Sequence, residues 1–115
     1  MHELALAQQL LDVIKQTARD NNLRKVKIVK IITGEMMAVV PEALEFSFQV
    51  LSRDTLAEGA KLVLEKQQAL SRCSQCGSIY SWLDHGYRCP TCHNLGGTII
   101  QGRDLYIDYL EGDEN

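Results

Sequence analysis

The chain has 115 residues, of which 45% are hydrophobic and 23% are charged, and its formal net charge at pH 7 is -3. This composition is that of one globular domain, or of a domain that carries a smaller module, and it excludes a disordered or fibrous chain. The acidic balance argues against a nucleic-acid partner, because proteins that bind phosphates usually present a basic field. No apolar run approaches the roughly 18 residues that a membrane span needs, and charges in the first 20 residues exclude a signal peptide. We therefore predict a cytoplasmic protein that does not contact a membrane.

Two amphipathic helices are predicted in the first half of the chain. Residues 4–19 carry apolar side chains at spacings of three and four, which indicates a helix with one buried face. The second helix begins at Pro41, because proline is favoured at the first helical position. Its apolar stripe consists of Leu44, Phe48 and Leu51, at the spacing of one helical face.

The remaining regular segments predict strands. The first of these segments, RKVKIVKIITG, is rich in β-branched residues. After Gly59, apolar side chains alternate along AKLVLEKQQALSR, and two further segments, TIIQ and DLYIDYL, flank Gly102. DLYIDYL needs sheet partners, and the strands near 26–33 and 61–66 are the available ones, so these three segments are expected to share a sheet. The acidic EGDEN at the carboxyl end is expected to be a frayed, solvated tail.

Four cysteines form two CxxC pairs with twelve residues between them, Cys73 with Cys76 and Cys89 with Cys92. A spacing of two residues lets one tight turn present both sulfurs to the same ion, and four thiolates then close a tetrahedron. In a reducing compartment such pairs hold a metal more often than they form disulfides. Zinc is the predicted ion, and iron bound by the same four sulfurs is an alternative. A third interpretation is a redox-active dithiol. Four ligands leave no open coordination position, so the predicted role of this zinc is structural.

Two histidines lie close to the cysteine pairs. His93 occupies the position after the second pair, where such a turn usually needs positive φ, and Gly77 occupies it after the first. We expect His85 and His93 to be exposed loop residues, and the alternative is that either one enters or supports the zinc site. The charges between Leu70 and Gly102 are too few for phosphate contacts. Three aromatic residues are therefore expected to shield the zinc site, rather than to stack on bases: Tyr80, Trp82 and Tyr87.

The chain opens MHEL, which places His2 directly behind the first residue. The Met1 amine, the next backbone nitrogen and a ring nitrogen of His2 can close successive chelate rings around one metal ion. Such a nitrogen-rich, near-planar set suits Ni(II) or Cu(II) better than zinc. Glu3 lies where a helix amino terminus favours a carboxylate, and the metalloprotease pattern HExxH is absent. From position alone, an inert exposed histidine is the commoner alternative.

Several segments in a fixed order resemble the HypA/HybF family of nickel metallochaperones for nickel–iron hydrogenase maturation: MHEL, PEALEFSFQVL, LAEGAKLVLE, CSQCG, CPTC and IIQGRDLYI. The resemblance covers essentially the whole chain. It implies a nickel site around His2, with Glu3 implicated, and zinc ligands at Cys73, Cys76, Cys89 and Cys92. It also implies delivery of nickel to the hydrogenase large subunit, cooperation with a GTPase of the HypB type, and in some members service to urease maturation proteins.

The predicted protein is thus α+β, with two helices packed on a small, mainly antiparallel sheet and an inserted four-cysteine zinc ribbon. Residues 1–68 with 103–115 are predicted to form a nickel-binding α/β domain, and residues 69–102 the zinc-binding ribbon module. The predicted function is that of a nickel metallochaperone and not of an enzyme. Two alternatives are a zinc-ribbon protein-interaction module without a nickel role and a small thiol oxidoreductase. The outer strands could also pair between two copies in a homodimer.

Overall fold

The computed structural model describes residues 2–115, which form two compact units. The first unit contains the described residues up to Ile32, together with Val39–Glu65 and Tyr106–Asn115. The second unit contains Thr33–Ala38 and Lys66–Leu105. The fold is α+β with two small sheets, which confirms the predicted fold class.

The helices of the first unit are α1, His2–Asp20, and α2, Pro41–Leu51. They pack against each other, and the apolar stripe predicted for α1 is the buried face of that helix. Past α1 the chain turns at Asn22, whose φ of 60° is tolerated by asparagine better than by most residues. No helix between residues 2 and 115 is long and apolar enough to cross a membrane. The buried apolar residues of the two helices are Ala7, Leu10, Leu11, Ile14, Ala18, Leu44 and Phe48.

Six strands are described: β1 Leu23–Gly34, β2 Lys61–Gln67, β3 Leu70–Cys73, β4 Ile79–Ser81, β5 Gly97–Gln101 and β6 Leu105–Glu114. One sheet has the order β2-β1-β6, so the strand predicted from DLYIDYL lies in one sheet with the two expected ones. β6 runs antiparallel to β1, because Gly112 lies against Lys25 while the Asn115 N–H donates to the Asn22 carbonyl at 2.9 Å.

The prediction that EGDEN is a frayed tail is wrong. β6 continues to Glu114, and the carboxylate of Asp113 forms ion pairs with Lys27 at 3.3 Å and Arg24 at 3.8 Å. Basic residues of β1 thus form ion pairs with the acidic end of the chain. Local composition alone indicated solvation, and the cross-strand pairing overrides it.

At Gly112 the backbone of β1 leaves no room for a side chain, since a Cβ added there overlaps the carbonyl oxygen of Lys25. We expect Gly112→Ala to reduce the free energy of unfolding of the first unit by about 1–3 kcal/mol, the usual cost of forcing extra atoms into a packed site. Urea unfolding followed by far-UV circular dichroism measures this loss. Glu114→Ala, on an exposed residue of the same strand, is the matched control, and an equal loss in both variants would contradict the explanation.

In the second unit, β3 lies between β4 and β5 and pairs antiparallel with both. The sequence predicted one strand running toward the cysteines, but β2 and β3 are separate strands in different sheets. The break falls at Ala69, whose N–H donates to the Glu35 carboxylate at 2.8 Å and whose carbonyl accepts from the Trp82 N–H at 3.0 Å. These bonds replace the ladder bonds that a continuous strand would make.

The segment Thr33–Ala38 groups with the second unit, although the predicted division put it in the first domain. It contains a short 3-10 helix, Glu35–Met37. Besides the Glu35 contact, the Gly34 N–H donates to the Asp104 carbonyl at 2.8 Å and the Met36 N–H donates to the Gly102 carbonyl at 2.9 Å. These hydrogen bonds explain the grouping. The functional division into a nickel-binding domain and a zinc module stays a prediction.

Candidate metal centre

Cys73, Cys76, Cys89 and Cys92 are brought together, and their sulfur atoms all lie within 4.8 Å of one another. Among residues 2–115 they form the one group of three or more histidine, cysteine or acidic ligands close enough to share an ion. Cys73 ends β3, and Cys89 lies beside a bridge between Arg88 and Leu95. The two pairs therefore meet across the sheet and the following loop, as a zinc ribbon requires.

The sulfur separations fit a metal site better than disulfides. The sulfurs of Cys73 and Cys92 are 3.6 Å apart, and those of Cys76 and Cys89 are 3.5 Å apart. Four sulfurs that surround zinc at about 2.3 Å lie about 3.8 Å from one another, whereas disulfide sulfurs are bonded at about 2.05 Å. The four sulfur donors and their spacing thus suit a metal ion in closed tetrahedral coordination.

The two CxxC turns have the same backbone geometry. Gly77 and His93, which follow the two pairs, have φ values of 75° and 64°. The Gly77 N–H donates to the Cys73 carbonyl at 3.1 Å, and the His93 N–H donates to the Cys89 carbonyl at 2.9 Å. The positive φ expected after each pair is therefore present. Arg88 adds a hydrogen bond to the His93 carbonyl at 3.3 Å, which holds the second turn.

The thiols differ in how readily they ionise. The Ser78 hydroxyl, 3.2 Å from the sulfur of Cys76, and the Ser78 backbone amide lower the pKa of Cys76 to about 6. A backbone hydrogen bond from Asn94 lowers the pKa of Cys92, but desolvation and the three neighbouring thiols outweigh it and raise that pKa to about 11. Crowded thiolates repel one another, so a divalent cation is needed before all four sulfurs ionise together.

Backbone amides also point at the sulfur atoms. The Gln75 N–H donates to the sulfur of Cys73 at 3.4 Å, and the Thr91 N–H donates to that of Cys89 at 3.3 Å. Such bonds favour the thiolate over the thiol. Backbone hydrogen bonds from Cys76 and Gln75 accordingly lower the pKa of Cys73. The site is thus arranged to stabilise negative sulfur.

Of the three aromatic residues expected to shield the cysteine cluster, one is buried against it. Tyr80 is buried with Cys73 and Cys89, as expected for a residue that shields the site. Trp82 and Tyr87 meet edge to face with ring centroids 5.8 Å apart, but Tyr87 is exposed. Neither His85 nor His93 belongs to the group of four cysteines, and both are exposed. The ring of His85 instead packs edge-on against the ring of Tyr80, with the ring centroids 6.0 Å apart.

The left-handed backbone at His93 gives a direct test of its role. We expect His93→Val to lower the free energy of unfolding of the second unit by about 1–2 kcal/mol, the cost of positive φ for an ordinary L-residue. His93→Gly should cause no such loss, since glycine adopts positive φ freely. Both variants should retain one zinc per chain. Zinc analysis and thermal unfolding followed by Trp82 fluorescence measure these outcomes, and loss of zinc in His93→Gly would place the imidazole in the metal site.

At the amino end, His2 is exposed and begins α1. Glu3 is half-buried, and its carboxylate accepts a hydrogen bond from the Val40 N–H at 3.1 Å. This bond holds the pKa of Glu3 below its usual range. The predicted contribution of the Met1 amine lies outside the described residues.

Two of these contacts have no signal in the sequence. Ser78 follows the first cysteine pair, but a serine in a loop carries no signal that its hydroxyl faces a sulfur. The contact between Glu3 and Val40 joins residues 37 positions apart, and no local pattern indicates it.

The comparisons with known proteins agree with one another. A family model described as "Hydrogenase/urease nickel incorporation, metallochaperone, hypA" matches residues 1–112. The hydrogenase maturation factor HypA of Moorella thermoacetica is 40% identical over 114 residues, which cover 98% of this chain and 100% of the relative. That of Solidesulfovibrio magneticus is 39% identical over 115 residues, with 96% and 98% covered.

Solved structures show the same fold. The solution structure of the Ni metallochaperone HypA from Helicobacter pylori matches with a TM-score of 0.77 at 23% sequence identity, and the match covers 100% of both chains. The full-length family match and the curated relatives confirm the resemblance seen in the sequence. The chain therefore belongs to the HypA family of nickel metallochaperones for hydrogenase maturation.

Proposed function

We propose that this chain binds one Ni(II) ion at its amino terminus and delivers it to the large subunit of a nickel–iron hydrogenase. The observation that carries the proposal is the exposure of His2 at the start of α1. The first N–H groups of a helix have no acceptor within the helix. The backbone nitrogens beside His2 are therefore not committed to the helical ladder and can serve with the imidazole and the Met1 amine as ligands.

The chemistry of these donors suits a carrier. Amine, amide and imidazole nitrogens in adjacent chelate rings favour a near-planar ion such as Ni(II). Ionised amide nitrogens offset the metal charge, so the positive end of α1 repels the ion less. The ligands bind in deprotonated form, and nickel affinity should therefore fall as the pH decreases. An exposed chelate of a few atoms can be displaced by ligand exchange with an acceptor.

The four cysteines have a separate role in the proposal. Cys73, Cys76, Cys89 and Cys92 would hold zinc, which organises the second unit and leaves no open coordination position. Iron would need the same four sulfurs, but zinc is the usual ion of closed structural sites of this kind. The zinc therefore is a resident structural ion, while nickel is the cargo.

The proposed partners follow from the family. Its description names both hydrogenase and urease, so the urease maturation proteins are a second proposed destination for the nickel. The sequence has no phosphate-binding glycine loop, and we propose that a GTPase of the HypB type supplies any nucleotide-dependent step. We place this transfer in the cytoplasm and propose no catalytic activity for the chain itself. Pairing of outer strands in a homodimer stays a prediction.

Metal stoichiometry tests the proposal against its rivals. We expect the purified chain to retain one zinc through dialysis and to bind one additional nickel reversibly, as measured by elemental analysis and titration. A zinc-ribbon interaction module would hold zinc alone. A thiol oxidoreductase would have metal-free cysteines that react with thiol reagents, and either of these results would contradict the proposal.

A further inference from the structure

We propose that Glu3 is a positioning residue for the nickel site and not a nickel ligand, and that its carboxylate fastens the first turn of α1 to the start of α2. This inference rests on the proposed function, because it concerns the same amino-terminal site. It starts from one contact, the hydrogen bond that the Val40 N–H donates to the Glu3 carboxylate at 3.1 Å. Both residues belong to the first unit.

The start of α2 needs such an acceptor. Val40 immediately precedes the helix, and its own side chain cannot cap the free N–H groups of the first turn. Pro41, at the first helical position, has no N–H to donate. The carboxylate of Glu3 therefore supplies negative charge at a helix end whose dipole favours it. A carboxylate engaged in this way is directed toward the start of α2.

The helical geometry separates Glu3 from His2. Successive residues of an α-helix point about 100° apart, so neighbouring side chains do not face each other. In agreement, the His2 side chain is exposed whereas Glu3 is half-buried. One carboxylate oxygen of Glu3 is bonded to the Val40 N–H, so coordination of an ion held by the imidazole would require the other oxygen to reach around the first turn of the helix. Remaining bonded, the carboxylate instead fixes the backbone from which the nickel ligands extend.

Three substitutions in the zinc-loaded chain separate positioning from ligation. Glu3→Gln keeps a carbonyl oxygen that can accept from the Val40 N–H but removes the carboxylate. Glu3→Ala removes both. Val40→Pro removes the donor and leaves Glu3 intact, and the φ of -91° at Val40 is close to the range of proline. Val40→Ala, which retains the N–H, is the matched control for the loss of the valine side chain.

Nickel affinity is measured by competition with a chromophoric chelator, and the ligand set is followed by the visible absorption of bound nickel. Glu3→Gln should match the parent in both. Glu3→Ala and Val40→Pro should bind about 10-fold more weakly, the effect of losing a group that orients metal ligands, with an unchanged absorption spectrum. Equal weakening of Glu3→Gln and Glu3→Ala with a changed spectrum would make the carboxylate a ligand and overturn the inference.

A metal-free measurement distinguishes failure of this inference from failure of the proposed function. Hydrogen exchange of the Val40 amide should be protected in the parent and in Glu3→Gln, and faster in Glu3→Ala. If the Val40 amide is as well protected in Glu3→Ala as in the parent, the inference is overturned, whatever the nickel affinity of that variant. If instead His2→Ala binds nickel as tightly as the parent, the amino-terminal nickel site itself is wrong, whatever the Val40 amide shows, and the positioning role falls with it.

Discussion

Replacing His2 with alanine is expected to abolish tight nickel binding while leaving one zinc ion per chain. Alanine removes the imidazole donor and breaks the outer chelate ring. Groups that merely orient metal ligands are worth about 10- to 100-fold in affinity, so loss of a ligand itself should exceed that range. Competition with a chromophoric chelator measures the nickel affinity, and elemental analysis measures zinc in the same samples.

His85→Ala is the matched control for this substitution. His85 is also exposed, but it packs against Tyr80 in the second unit. We expect the control to bind nickel as the parent does. If the His85 variant loses nickel and the His2 variant keeps it, the nickel site belongs to the second unit and the proposed chelate is wrong.

Removal of the zinc is expected to unfold the second unit and to spare the first. The hydrophobic cluster of buried residues in the second unit consists of Cys73, Tyr80 and Cys89, and two of these three are proposed metal ligands. We expect a core of this size to be too small to stabilise the 46 residues of Thr33–Ala38 and Lys66–Leu105 without the ion. Large apolar side chains of the same unit are exposed and contribute little burial: Ile79, Leu83, Tyr87, Leu95 and Ile100.

The first unit has its own core of buried residues from α1, α2 and β1, and it should therefore keep its structure. Trp82 is the one tryptophan in the sequence and reports on the second unit alone. Cys76→Ser should give the unfolded Trp82 fluorescence and collapse the amide resonances of β3, β4 and β5. Gln75→Ser, at the exposed neighbouring position, should not. Persistence of those resonances in the metal-free chain would contradict a structural role for zinc.

The elements of the first unit were predictable because their signals are local. α1 follows from an apolar stripe that is buried as expected, and α2 begins at the predicted Pro41. The strand break at Ala69 was not predictable, because the acceptor of its N–H is Glu35, 34 residues earlier in the chain. The acidic end was misjudged for the same reason, since Lys27 and Arg24 lie far from Asp113 in sequence.

The candidate site likewise contains parts with a local sequence signal and parts without one. The cysteine group was predictable because a CxxC turn sets its own geometry, including the positive φ at Gly77 and His93. The hydrogen bonds that tune the group were not, because Ser78 and Asn94 act through the folded loop. At the amino terminus, the sequence indicated an available His2, and only the fold brings Glu3 to Val40.

The most direct test of the amino-terminal chelate is the nickel affinity of a chain with one glycine added before Met1. The extension leaves every side chain in place and moves the free amine away from the imidazole, so the chelate rings cannot form as before. In competition with a chromophoric chelator, the extended chain should lose tight nickel binding while its zinc content and circular dichroism match the parent. Unchanged nickel affinity in the extended chain would contradict the account.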